Sequence, residues 1–153
     1  MFWSVFWAST HYLGILVLFG CVYGMLLFWR TQINEYNLRT LLWLHVAYWV
    51  SLLVVLVSGL ARAGWTEKGM AFYLANPWFH AKVTVFVLIM LMSLYPVMRM
   101  RAWRRSANPV GAVPAVTPAL QKGMRRVLVA EIHLISLMPI FGALMARGVG
   151  MGS

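Results

Sequence analysis

The 153 residues are 62% hydrophobic and carry 13 Lys and Arg against 3 Asp and Glu, a balance too apolar for a water-soluble domain of this size. Lipid is therefore the expected solvent. A net charge of +10 would suggest nucleic acid in a soluble protein, but most of it gathers in one connection, so no nucleic-acid partner is expected.

A spanning helix needs about 20 mostly apolar residues, because the hydrocarbon is about 30 Å thick and each helical residue rises about 1.5 Å. The first such run covers residues 5–29. No basic residue precedes it, so it lacks the charged start of a signal peptide and is read as retained. Cys21, the single cysteine, falls within it and can form no intrachain disulfide; no Cys-x-x-Cys-His run exists for covalent haem attachment. Gly20 and Gly24 form a small-xxx-small pair suited to close intrachain packing, with a homodimer as the weaker alternative.

A polar turn, Thr31 to Thr40, leads to the second run, residues 41–61, where Ala47, Ser51 and Ser58 lie near one face. The next connection holds Trp65, Tyr73, Asn76, Pro77 and Trp78, amphipathic side chains suited to the headgroup level. Pro77 fits the start of the third run, residues 79–97, and Pro96 marks its end. Residues 98–125 form a basic loop with Arg99, Arg101, Arg104, Arg105, Lys122 and Arg125, where Pro109, Pro114 and Pro118 favour a flexible linker. The fourth run, residues 126–146, contains Pro139, which is expected to kink it.

These runs are continuous, not alternating at period two, so helices are expected rather than a barrel. The expectation is an all-α integral membrane protein, one domain over residues 1–153, folded as an antiparallel four-helix transmembrane bundle. Basic residues accumulate in short cytoplasmic loops, which places residues 98–125 in the cytoplasm, against anionic lipid headgroups, and both termini outside.

Ionisable side chains are costly in hydrocarbon and are functional candidates by default. There are four histidines, one per run. His11 and His80 form an outer pair and His45 and His133 an inner pair, by depth along each helix. Neutral imidazoles on facing helices can ligate haem iron, so this arrangement accommodates one b-type haem, or two; interhelical hydrogen bonding is the competing role. Lys82 can snorkel to headgroups or hold a carboxylate of haem or substrate, as can Arg62 and Lys68. Positions 80 and 82 point about 200° apart around a helix, so His80 and Lys82 cannot both face one core site squarely. Glu131 could pair with Arg30, Arg39 or the basic loop, or relay protons. The eleven methionines raise copper as a weaker alternative, but they are scattered through apolar runs. Nothing resembles a hydrolytic triad, a P-loop or a dinucleotide fingerprint.

The run Trp78-Phe79-His80-Ala81-Lys82, with His11 in the first helix, resembles HemJ-type protoporphyrinogen oxidases, small four-helix haem b proteins distantly similar to CopD-type copper-resistance domains. Over nearly the whole chain, Lys68-Gly69, Tyr73, Asn76, Pro77, Lys82 and Met145-Ala146-Arg147-Gly148 resemble a bacterial membrane-protein family designated domain of unknown function twenty-two fourteen. The HemJ resemblance implies that His11 is a haem ligand or catalytic residue and that His80 and Lys82 belong to the active-site neighbourhood, with Lys82 as the second catalytic candidate. Departures from the HemJ pattern are the missing Leu-Pro-Arg run after helix 1, the unusually basic third loop, and His45 and His133, which have no obvious counterpart. The reading is a multi-pass inner-membrane haem b protein, an oxidoreductase or electron-transfer unit acting on a porphyrinogen or quinone. The alternative is a non-catalytic membrane subunit or copper-handling protein.

Overall fold

A computed structural model describes residues 2–65, 69–106 and 112–150. It is all helical: α1 (Phe2–Phe28), α2 (Glu35–Trp65), α3 (Gly69–Ala75), α4 (Pro77–Met92), α5 (Leu94–Arg105) and α6 (Pro118–Ala146). Four spans are long and apolar enough to cross a membrane: α1, α2, the nearly continuous α4–α5 from Pro77 to Arg105, and α6.

Each span starts or stops where side chains satisfy the backbone groups that a helix end leaves open. Before α2, Asn34 and Asn37 exchange bonds: the Asn34 amide donates to Asn37 Oδ1 at 2.7 Å and the Asn37 amide to Asn34 Oδ1 at 3.0 Å. This reciprocal box starts the helix within the polar turn, well before the apolar run at residue 41. Asn76 caps α4 by accepting from the Trp78 amide at 3.0 Å, with Pro77 in the first helical position. Thr117 and Pro118 repeat the device at α6, where Thr117 Oγ1 accepts from the Leu120 amide at 3.2 Å. The third connection is consequently shorter than the linker expected over residues 98–125, since α5 runs on to Arg105 and α6 begins at Pro118.

At its other end α6 closes on Gly148, whose φ of +65° only glycine adopts without strain. The Val149 amide then bonds the Leu144 carbonyl and the Gly148 amide that of Met145. This turn is tied to α4: Trp78 Nε1 donates to the Val149 carbonyl at 2.8 Å and Asn76 Nδ2 to the Met145 carbonyl at 3.3 Å. Helix α6 is one unbroken element through Pro139. The third span is interrupted at Ser93, between α4 and α5, where the Ser93 hydroxyl donates to the Met90 carbonyl at 2.7 Å.

Helix α1 packs against α2 and α6, and α6 packs against α4. The shared core includes Leu18, Val22, Met25, Trp29, Leu41, Leu52, Ile89, Met124 and Leu128, all buried. Leu13, Leu16, Leu53, Leu60 and Ile140 are large, apolar and exposed, as lipid-facing residues should be. Of the small pair on α1, Gly24 faces inward: a Cβ there would lie 3.2 Å from Leu44 Cδ1. Gly20 is exposed and a Cβ there would meet nothing within 4 Å.

Candidate functional site

Helices α1 and α2 are antiparallel in a register that sets Gly14 against Val54 and Val55 and His11 against Ser58 and Gly59. Their small residues decide the approach. A Cβ on Gly14 would lie 3.0 Å from Val55 Cγ2, and one on Gly59 3.2 Å from His11 Cε1. His11 is therefore seated flat against α2 and only 4% exposed.

Its imidazole is fully engaged. Nδ1–H donates to the Val55 carbonyl at 3.1 Å and approaches the Ser58 hydroxyl oxygen at 3.0 Å. The Ser58 hydroxyl hydrogen is directed to carbonyls of its own helix, so Ser58 also accepts from His11. With Nδ1 protonated, neutral His11 carries its lone pair on Nε2. That atom faces Lys82 of α4, whose ammonium donates to it across 3.4 Å. Arg62, one turn beyond Ser58 on α2, lies with its guanidinium 5.3 Å from the centre of the Tyr12 ring, a cation–π contact. Its Nε is buried without a hydrogen-bond partner.

Three helices thus bring His11, Ser58, Arg62 and Lys82 together about 5–14 Å inside the ends of their spans, Arg62 being the shallowest, by helical rise. No carboxylate belongs to this group among the described residues. Glu35 opens α2 at its opposite end, and Glu131 is buried elsewhere. Two cations beside an imidazole lone pair make a site for an acid or another strong acceptor.

The other candidates are dispersed. His80 is exposed and its Nε2–H donates to the Leu74 carbonyl at 2.8 Å, so it does not share the His11 site. His45 is half-buried; Nδ1–H donates to the Leu41 carbonyl at 3.1 Å, while Nε2 is buried and unpartnered. His133 is exposed and its Nδ1–H donates to the Val129 carbonyl at 2.7 Å. The inner pair's hydrogen bonds therefore each close within their own helix. Among the described residues no three His, Cys, Asp or Glu side chains gather closely enough to hold a metal ion. Lys68 lies outside the described residues.

Among the described residues Glu131 pairs with none of the arginines. It is 1% exposed and lies against Tyr48 of α2, whose hydroxyl also approaches Ser93 without completing a well-formed bond to either; Oε1 of Glu131 has no partner.

Sequence patterns present Ser58 only as a small packing residue and give Tyr48 no role. The available signal is the spacing of His45, Tyr48, Ser51, Val55 and Ser58, which places one polar-studded stripe on the buried face of α2.

A family model described as "Predicted membrane protein (DUF2214)" matches residues 3–150. No curated protein and no solved structure matches the chain.

Proposed function

The chain belongs to that family of predicted membrane proteins, and from this premise we propose that it is a haem b-binding membrane oxidoreductase or electron-transfer protein acting on a porphyrinogen or quinone. One observation carries the reading: a buried His11 with Nδ1–H fixed on Val55 and its Nε2 lone pair turned toward Lys82, with the Arg62 charge close by. An imidazole held by a carbonyl at Nδ1 is oriented as metal-ligating histidines are. Lys82 and Arg62 suit the carboxylates of haem or of a porphyrin-like substrate, and the ammonium suits a quinone oxygen. A bound acid would draw Lys82 away from Nε2 and leave that lone pair free.

The residues present would offer haem iron one imidazole, that of His11. They do not fit a His11–His80 clamp, because His80 is exposed and bonded to Leu74. His45, with its buried free Nε2, is the candidate for a second group in the inner half. Haem iron would supply one-electron chemistry. The protein's own part is to orient His11, to hold acidic groups at Lys82 and Arg62, and to exclude water with the surrounding apolar helices.

The test is the absorption spectrum of the purified protein in detergent, before and after dithionite. A Soret band that shifts on reduction is expected, lost in His11→Ala and retained in His80→Ala. An intact, iron-free, colourless protein that takes up no haem on reconstitution overturns the reading. We also propose a bacterial inner membrane with both termini outside, a reading supported by the basic loop.

A second reading has its own support. His45 and His133 donate back to carbonyls of their own helices, as histidines with a structural role do. Under it the chain is a non-catalytic subunit, or a CopD-like copper-handling protein, and it could act as a homodimer. Metal analysis separates the cases: iron for the first reading, copper for metal handling, neither for a scaffold.

A further inference from the structure

Away from the histidines, a groove of about 620 Å³ runs along one face of the first half of α6, lined by Pro118, Gln121, Lys122, Arg125, Arg126 and Val129, with Ala130 at its inner end. We propose that this groove binds one anionic glycerophospholipid, its phosphate held by Lys122, Arg125 and Arg126 and an acyl chain laid along Val129 and Ala130.

Depth supports the assignment first. Helix α6 has 29 residues, so it is about 43 Å long, the thickness of a bilayer with its headgroups. Counting about 20 residues back from Ala146 sets the hydrocarbon boundary near Arg126. Lys122 and Arg125 then lie at headgroup level, while Val129 and Ala130 lie within the first turn of hydrocarbon.

Charge supports it second. Lys122, Arg125 and Arg126 are all exposed. The only acid on α6, Glu131, is buried and turned to Tyr48, so it neutralises none of them. Shape supports it third, because the steps from Lys122 to Arg126 to Ala130 and from Arg125 to Val129 are four residues each and keep cations and apolar groups on one stripe. A water-soluble anion would meet the cations but gain nothing from Val129 and Ala130. A phospholipid uses both ends.

The experiment uses delipidated full-length protein in neutral detergent, titrated with phosphatidylglycerol, phosphatidylcholine or inorganic phosphate while melting temperature and bound lipid are measured. Phosphatidylglycerol should stabilise the protein and saturate at one molecule per chain; phosphatidylcholine and phosphate should not. Each cation near a membrane surface is worth about fivefold, so the triple variant K122Q/R125Q/R126Q should weaken binding about 100-fold. The exposed triple on α5, R101Q/R104Q/R105Q, should leave it nearly unchanged. Equal weakening by both triples would mean diffuse attraction and overturn the proposal, as would saturation by phosphate alone. Single Lys122→Gln, at an exposed position, gives the same reading, at about a fivefold loss, if the triple fails to fold.

Discussion

Burying an imidazole in a bilayer is tolerable at position 11 because every polar edge of the ring is met, by Val55 and Ser58 on one side and Lys82 on the other. Removing Ser58 alone should therefore cost little: Ser58→Ala leaves Val55 as acceptor and is expected to lower stability by about 1 kcal/mol in a thermal melt. Asn76→Ala is expected to cost about 1–2 kcal/mol, since this buried side chain both caps α4 and reaches the end of α6. Glu131 is different, because its Oε1 has no partner. Glu131→Gln keeps the shape and carries no charge, so its melting temperature should equal or exceed that of the parent, whereas Glu131→Ala should lose about 2–4 kcal/mol of stability, with a lower melting temperature, for the space left against Tyr48. The angular step along one helix is enough to separate His80 from Lys82 from their sequence positions. It cannot find Ser58 as the partner of His11, because that contact depends on the register between two helices, which no single-helix pattern contains.

At the scale of the element, α1 and α2 are held at their spacing by glycine. Gly14→Ala would push a methyl against Val54 and Val55, whose branched side chains are stiff in a helix, and should lower stability by about 1–3 kcal/mol. Gly20→Ala meets open space and should be neutral or stabilising by up to about 1 kcal/mol through helix propensity. The Gly20 and Gly24 spacing suggests one packing face for both, yet only Gly24 faces inward. Hydropathy locates the four spans, since apolar length is what a bilayer selects. It misplaces their polar ends, because a helix continues past the hydrocarbon wherever caps allow. The Thr117-Pro118 start of α6 is readable as a cap but is obscured by the neighbouring prolines, which taken together suggest a linker.

Across the whole molecule, the basic residues of α5 and the start of α6 gather at one end, and the His11, Arg62 and Lys82 cluster lies near the other. The positive-inside rule then makes a direct topological prediction. Cys21 is buried, so background labelling by a membrane-impermeant maleimide should be low. Ser153→Cys should label in intact cells, and Ala119→Cys only after permeabilisation; the reverse pattern would invert the topology. The Trp78 and Asn76 bonds to the turn after α6 act as a bolt between α4 and α6 at the cluster's end of the molecule. Those two helices are tied together there, so a guest reaching His11 from that end has to part α4 from α1 and α2 and displace the Lys82 ammonium that bridges them.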